Sequence, residues 1–286
     1  MKLRILLIKL LCLIALLLPF LPTVIQVNAQ PFYGKTGEPF VLRASFSTPI
    51  LSSQEDRLHN IRLASKQIDG TFLESGDTFS FNAVVGARTE KRGYKTAKII
   101  VGGRFVDGVG GGVCQVSTTL YNVALLAGLK IVEQHPHSLA VGYVAPSFDA
   151  MVNSSFADLK FVNETLSPVY VKIYCDGKTL RAEVYGAKTD LTYERESEVI
   201  AIVKPPEDEV ILDDGSYGLK EGEQKVLTYG KDGLKSNGYL SVYKNGKLIS
   251  KTLLRKDFYR PVQGVLVKNT NERLPICEDA QLSTFG

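Results

Sequence analysis

Val109-Gly110-Gly111-Gly112-Val113-Cys114-Gln115-Val116-Ser117-Thr118-Thr119-Leu120-Tyr121-Asn122 runs a three-glycine loop straight into a helix and sets a cysteine in its first turn. Val113, Val116, Leu120, Ala124 and Ala127 fall at helical spacing and form its buried stripe, and Gly128 is a fitting stop. Upstream, Ser53–Asp69 reads as a second helix, with Ser52 or Ser53 as cap and Gly70 at its end. Leu58, Ile61, Ala64 and Ile68 give it one apolar face. Phe72–Phe81, with a turn at Gly76-Asp77, and Lys98–Val101 and Leu129–Val132 read as strands. Val169–Cys175 and Lys178–Tyr185 alternate apolar and polar around Asp176-Gly177, a hairpin pattern. Val169, Val171, Ile173 and Cys175 share one face, so Cys175 is expected to pack in the core. The expected fold class is α+β, with the Cys-bearing helix packed on a mainly antiparallel sheet and a small all-β domain after it.

The organisation predicted along the chain is a signal peptide or membrane anchor over 1–29, a linker over 30–45 and an α+β domain over 46–190. A small all-β module over 196–268 and a tail over 269–286 follow. Lys2, Arg4 and Lys9 precede the apolar run Leu10–Leu18, which Pro19 and Pro22 interrupt, and Val27-Asn28-Ala29 offers a cleavage point. The run is short for a membrane span of about 20 apolar residues. Cleaved or not, the leader implies an extracytoplasmic chain: secreted, wall-associated or anchored by that segment. Past Thr192–Glu198, glycines and the Pro205-Pro206 break punctuate short β-type runs, and Tyr239–Tyr243 and Lys247–Leu253 flank Asn245-Gly246 as a hairpin. That change of pattern predicts a separable module.

The formal charge is +4, and loss of the leader's three cations leaves +1, which gives no reason to expect nucleic acid or strong membrane-surface attraction. Cys114, Cys175 and Cys277 remain after the leader, an odd number that excludes a disulfide scaffold.

A thiol where a glycine-rich loop enters a helix meets unpaired N–H groups and a partial positive charge, which favour a thiolate and a developing oxyanion. A base is needed, and the chain has three histidines: His59, His135 and His137. His137 is the candidate base with His135 in reserve, and Asp149, or Asp158 as the lesser choice, would orient the imidazole. The order Cys, His, Asp is similar to that of transglutaminase-like and papain-like enzymes. The backbone N–H of Cys114 and the side chain of Gln115 are the candidate oxyanion donors, and Gly110, Gly111 and Gly112 let a substrate approach. Gln115 could equally cap the helix, and the glycines could mark only a tight bend. Arg88, Glu90, Arg92 and Tyr94 could line a polar groove or form a solvated loop. No metal or cofactor is expected, because no ligand pair has helical or Cys-x-x-Cys spacing.

The chain resembles the VanW family. Asn60-Ile61-Arg62-Leu63-Ala64, Gly76-Asp77-Thr78-Phe79-Ser80-Phe81-Asn82, Val85-Gly86-Ala87-Arg88-Thr89 and Gly93-Tyr94-Lys95-Thr96-Ala97 carry the resemblance. Its densest part is Gly110 to Asn122, followed by His137-Ser138, Tyr143-Val144, Asp149-Ala150 and Asp158-Leu159-Lys160-Phe161. The resemblance covers Phe46–Gly186, and the 196–268 module is similar, more loosely, to the five-glycine extracellular β domain. It implies a Gram-positive cell-envelope setting near peptidoglycan, with peptidoglycan or its peptide stem as partner and an association with vancomycin-resistance clusters. It implies no particular reaction. Two readings lead, with a regulatory or scaffold role without a small ligand as a third. One is a cysteine-dependent enzyme that transfers or hydrolyses acyl or amide bonds of peptidoglycan peptide, with L,D-transpeptidation as a variant whose histidine order does not match. The other is a non-catalytic peptidoglycan-binding or envelope-assembly protein.

Overall fold

The computed structural model describes residues 39–269 apart from 52, 53 and 102. The leader, Cys277, most of the expected tail and the serines expected to cap the first helix lie outside the described residues. Among the described residues no helix is long and apolar enough to cross a membrane.

Four antiparallel strands form the central sheet in the order β1-β9-β8-β2: β1 (Val41–Pro49), β9 (Thr179–Gly186), β8 (Val169–Cys175) and β2 (Thr71–Leu73). The β8–β9 hairpin is the one its alternation predicts, and Val169, Val171 and Ile173 are buried on one face. Cys175, at the end of that row, is only partly buried, because the strand leaves the core there. Strand β1 starts inside the stretch expected as a linker. Its pairing with β9 from Val41↔Gly186 explains the difference: the Gly- and Pro-containing lead-in gives way to a sheet edge earlier than composition suggests.

Helices α1 (Glu55–Ile68) and α3 (Val113–Leu126) lie on this sheet, α1 against β8 and α3 against β1 and β9. Ile61, Ala64 and Ile68 of α1 meet Val116, Leu120 and Ala124 of α3 and the inner row of β8 in one core. Each fully buried aliphatic side chain contributes about 1.5–3 kcal/mol. Gln54 takes the N-cap position of α1. The short α2 (Phe81–Val85) is capped by Ser80, whose side chain accepts from the Ala83 N–H.

The strand-like stretch 72–81 splits between sheets. β2 pairs with β8, whereas β3 (Thr78–Ser80) joins a second antiparallel sheet of order β3-β7-β6, with β7 (Lys160–Val162) and β6 (Lys130–Glu133). β4 (Thr96–Val101) and β5 (Arg104–Val109) form a separate ribbon that feeds into Gly110.

The C-terminal part is all β. β10 (Leu191–Val203), β13 (Gly233–Lys244) and β14 (Lys247–Tyr259) make a long antiparallel sheet. β11 (Glu209–Leu212), β15 (Val265–Lys268) and β12 (Gln224–Thr228) make another, in which β11 and β15 run parallel. The β13–β14 turn is at Asn245-Gly246, with φ of 49° and 77°, as the two-residue hairpin signal requires. β10 runs through the composition shift, so the backbone does not break where the sequence pattern changes.

Candidate active site

Helix α3 is hydrophobic on one stripe, yet its polar side chains are buried too, and each has a use. Ser117 Oγ donates to Ala150 O (2.6 Å), Thr118 Oγ1 accepts from the Ala150 N–H (3.0 Å), and Asn122 Nδ2 donates to Phe148 O (2.7 Å). These bonds zip the helix to the segment 148–150. On its other side, Gln115 Nε2 donates to Thr48 Oγ1 and Pro49 O, both at 2.9 Å, and Thr119 Oγ1 bonds Thr48 Oγ1 (2.8 Å). Net hydrogen bonds of this kind contribute about 1 kcal/mol each, and leaving such a group unpaired costs more.

The glycine loop is built for close packing. Gly112, at the N-cap of α3, has φ 104° and Gly110 has φ 89°, conformations that disfavour a side chain. Gly110 and Gly111 are buried. A Cβ on Gly111 would come within 2.7 Å of Ala97 C and Lys98 O on β4. Asn60, buried on α1, fixes this loop by donating to Lys95 O (2.8 Å) and Gly111 O (3.0 Å) and accepting from the Lys95 N–H (2.8 Å). Gly111 thus makes room for the backbone of β4, and Gly110 for the stem of Arg88, 3.0 Å from where its Cβ would stand. Gln115 is likewise occupied. Both its amide hydrogens serve β1, and its Oε1 accepts from Arg57 Nη2 at 2.6 Å, so it has no donor left for an oxyanion.

Cys114, His137 and Asp149 meet. His135 O accepts from the Met151 N–H (2.8 Å), so the chain past β6 runs antiparallel to 149–151 and brings His137 beside Asp149. Asp149 Oδ2 accepts from the His137 backbone N–H (2.6 Å) and bonds His137 Nδ1 (2.7 Å). The ring and the Cys114 thiol act on each other, each shifting the other's titration. The Cys114 Sγ also lies 3.5 Å from Val152 O, and the residue is half-buried. His135 is elsewhere: its Nε2 bonds Glu133 Oε1 at 3.0 Å. The reserve base is thus paired to a carboxylate on its own strand. Asp158 is also committed elsewhere, accepting from Ser80 Oγ, from the Asn82 N–H (2.8 Å) and from the Leu159 N–H (2.8 Å). Among the described residues no group of three or more His, Cys, Asp and Glu side chains could hold a metal ion.

The electrostatics favour an ion pair. Burial works against the Cys114 thiolate, but the bond to His137 and the His137 charge outweigh it, with Arg88 adding to them, and hold the thiol below its usual value. Burial likewise acts against the imidazolium, and the bonds to Asp149 and Cys114 lift His137 to about 9. Asp149 ionises below the usual carboxylate range despite its burial, held there by His137, Arg255 and Tyr259. Two strongly coupled groups titrate as a pair.

That pairing gives an expected titration. A raised imidazole contributes stability that is fully present below its unfolded value of about 6.5 and lost as pH rises through the folded value, here about 9. The lowered thiol does the reverse: its contribution is present above the unfolded value of about 8.5 and lost as pH falls through the folded one. Between about 6.5 and 8.5 the two contributions change with pH in opposite senses and offset one another. In NMR, the His137 ring should titrate near 9, and Cys114→Ser should move it downward by removing the thiolate. An unchanged titration in Cys114→Ser would mean that the sulfur carries no charge.

Three side chains that sequence reading did not single out complete the site. The Tyr143 hydroxyl interacts with Thr118, and burial together with the Cys114 charge keeps the phenol protonated. Nothing in its spacing marks it, since the loop between His137 and Asp149 must fold first. Tyr259 OH donates a short bond to Asp149 Oδ1, and Arg255 donates to Asp149 O (2.7 Å) and Oδ1 (3.3 Å). Both come from β14, more than 100 residues along the chain.

Residues 56–185 match the family described as "VanW like protein", and residues 193–271 match the G5 domain. The chain carries a VanW-like domain followed by a G5 domain. It is 38% identical over 172 residues to YoaR of Bacillus subtilis (strain 168), covering 58% of this chain and 57% of that one. It is 28% identical over 141 residues to the vancomycin B-type resistance protein VanW of Enterococcus faecalis (strain ATCC 700802 / V583), covering 47% and 51%. The chain thus spans about half the length of the curated relatives it matches. Two solved G5 structures align with part of it. HP0197-G5 has 25% identity and a TM-score of 0.16, over 28% of this chain and 100% of that one. The IgA1 protease G5 domain has 22% identity and a TM-score of 0.21, over 30% and 96%. Cys114, His137 and Asp149 all lie in the VanW-like domain, whereas Arg255 and Tyr259 lie in the G5 domain.

Proposed function

We propose that the protein is an extracytoplasmic cell-envelope enzyme that uses Cys114 for acyl transfer to, or hydrolysis of, amide bonds in peptidoglycan peptide. The observation that carries this reading is the grouping of Cys114, His137 and Asp149 at the start of α3, with His137 bonded to Asp149 and its ring acting on the Cys114 thiol. A thiolate already paired with an imidazolium is a nucleophile and a general acid in one unit. The sulfur attacks the carbonyl carbon, a C–S bond forms, and the carbonyl pair moves to oxygen. The C–N bond then breaks, and the amine leaves with the proton of the His137 ring nitrogen that faces the sulfur. Water or a second amine attacks the thioester, gives its proton back to His137 and restores the thiolate.

The amides of Val113 and Gln115 are bonded to Gly110 O and Gly112 O. The Cys114 N–H and the Tyr143 hydroxyl are the donors offered to the oxyanion. The arrangement is similar to that of transglutaminase- and papain-like enzymes in the order of the three residues and in the helix-start nucleophile, without implying their fold. The envelope setting is supported by the relative named for vancomycin resistance and by the G5 domain, which fits retention on wall glycan. The leader reading supports the same side of the membrane.

Incubating the protein with wall peptide fragments and measuring its intact mass should show an acyl adduct on Cys114, absent in Cys114→Ser. If no adduct forms and Cys114→Ser retains the protein's full envelope phenotype, the second reading takes over: a wall-binding or assembly protein, favoured by its G5 domain.

A further inference from the structure

Arg88 stands in the turn after α2, and one of its nitrogens does all the anchoring. Nη1 donates to Asn82 Oδ1 (2.7 Å) and Gly86 O (3.0 Å). Asn82 is itself fixed, since Nδ2 donates to Asn153 O and Ala157 O, both at 2.9 Å, and its N–H to Asp158 Oδ1 at 2.8 Å. The aliphatic stem lies on the loop that delivers the nucleophile: a Cβ on Gly110 would be 3.0 Å from Arg88 Cβ. Nε and Nη2 have no hydrogen-bond partner among the described residues, and neither is a buried orphan, so that edge of the guanidinium is open. No carboxylate among the described residues forms an ion pair with Arg88. The anion that acts on it most is Cys114, with Asp158 weaker and Arg92 opposing.

We propose that Arg88 binds a carboxylate of the substrate, so that the site takes acyl peptides carrying a free carboxylate beside the scissile amide. The proposal rests on the acyl-transfer reading of Cys114. Acylation turns the thiolate into a neutral thioester. A half-buried, clamped guanidinium would then keep only the weaker attraction of Asp158, a costly state. A substrate carboxylate replaces the lost charge, and the open Nε–Nη2 edge is the fork that grips a carboxylate through two parallel N–H···O bonds. A lysine could supply the charge but not that geometry.

The test separates binding from chemistry by using the Cys114→Ala protein. Acetylated tripeptides ending in alanine of either configuration are titrated calorimetrically, each as the free acid and as the carboxamide. The free acid of at least one should bind roughly 10–100-fold tighter than its carboxamide, the size of a charge-assisted hydrogen bond. Arg88→Gln in the same background should erase that difference while leaving carboxamide binding within about twofold, and Arg88→Lys should restore only part of it. The proposal is overturned if acid and carboxamide bind alike, if neither binds, or if Arg88→Gln weakens both equally. In that last case Arg88 serves the loop or the thiolate. If the acid is preferred through Arg88 but the wild-type protein forms no adduct on Cys114, the acyl-transfer reading falls and the carboxylate site stands.

Discussion

Arg255→Met should destabilise the protein by about 3–5 kcal/mol and lower the reactivity of Cys114, although Arg255 lies in the G5 domain. Its side chain is 9% exposed and holds two buried carboxylates at once. Nε and Nη2 donate to Asp257 at 2.7 and 3.0 Å, while Nη1 and Nη2 reach Asp149 O and Oδ1. Without the guanidinium, Asp149 keeps His137 and Tyr259 but loses a cation that helps hold it ionised, and the buried Asp257 loses its ion-pair partner. An Asp149 that ionises less readily favours the imidazolium of His137 less, so the thiolate is held less firmly. The same hairpin holds Ser147, a non-glycine residue at φ 65°: its N–H donates to Tyr259 OH (2.7 Å) and its Oγ bonds Ser236 Oγ (2.8 Å). Arg195 of β10 also lies over the Phe46 and Phe148 rings, 4.3 and 4.8 Å from their centroids. These contacts bear on the expectation of a separable β module: a chain ended at Lys188 would lose every one of them. Urea unfolding of Arg255→Met, followed by alkylation kinetics of the folded variant, checks the claim. A wild-type midpoint together with wild-type alkylation would sink it.

The fold was legible where period and turn chemistry agree. The β8–β9 and β13–β14 hairpins announce themselves by alternation around Asp176-Gly177 and Asn245-Gly246, and α1 and α3 by their apolar stripes. What could not be read is which strand pairs with which. The stretch 72–81 looks like one strand region with a turn, yet its two halves join different sheets, because strand order is set by packing of distant segments rather than by local pattern. Strand β1 was hidden by its Gly- and Pro-containing lead-in.

In the site, Cys114, His137 and Asp149 could be proposed because histidine is scarce and because loop and helix grammar mark Cys114. Ser117, Thr118, Thr119 and Asn122 carry no pattern in sequence that names their partners. Their function as bonds to 148–150 and to Thr48 needs the neighbouring backbone in place. Gln115 is ambiguous in sequence for the same reason: an amide beside a nucleophile can serve an oxyanion, cap the helix or, as here, bond β1, and only the folded neighbours show which partners it has. Arg255 and Tyr259 were out of reach, since a sequence that changes character near residue 192 gives no hint that its far hairpin returns to the site.

His137→Ala should slow alkylation of Cys114 near pH 6.5 by roughly 10–100-fold, the largest kinetic effect the site predicts. An ordinary thiol, with a pKa of about 8.5, is about 1% thiolate at that pH, whereas cysteines paired with an imidazolium fall in the range of about 3.5–7.5 and are largely ionised. In the wild type, burial opposes ionisation of Cys114, and His137 is what reverses it. Removing the ring therefore leaves burial to push the thiol up, with Arg88 as a weaker support. The measurement is a pH–rate profile for iodoacetamide in a Cys175→Ser, Cys277→Ser background that retains Cys114. The wild-type profile should already be near its plateau at neutral pH, and the His137→Ala profile should climb through the alkaline range. His135→Ala should leave the profile nearly unmoved, because that ring is bonded to Glu133. Arg88→Gln should shift it upward by less than His137→Ala does. If Cys114 reacts only after denaturation, or if His137→Ala keeps the wild-type profile, the sulfur is not held as a thiolate by His137. The acyl-transfer chemistry would then have no nucleophile at this site.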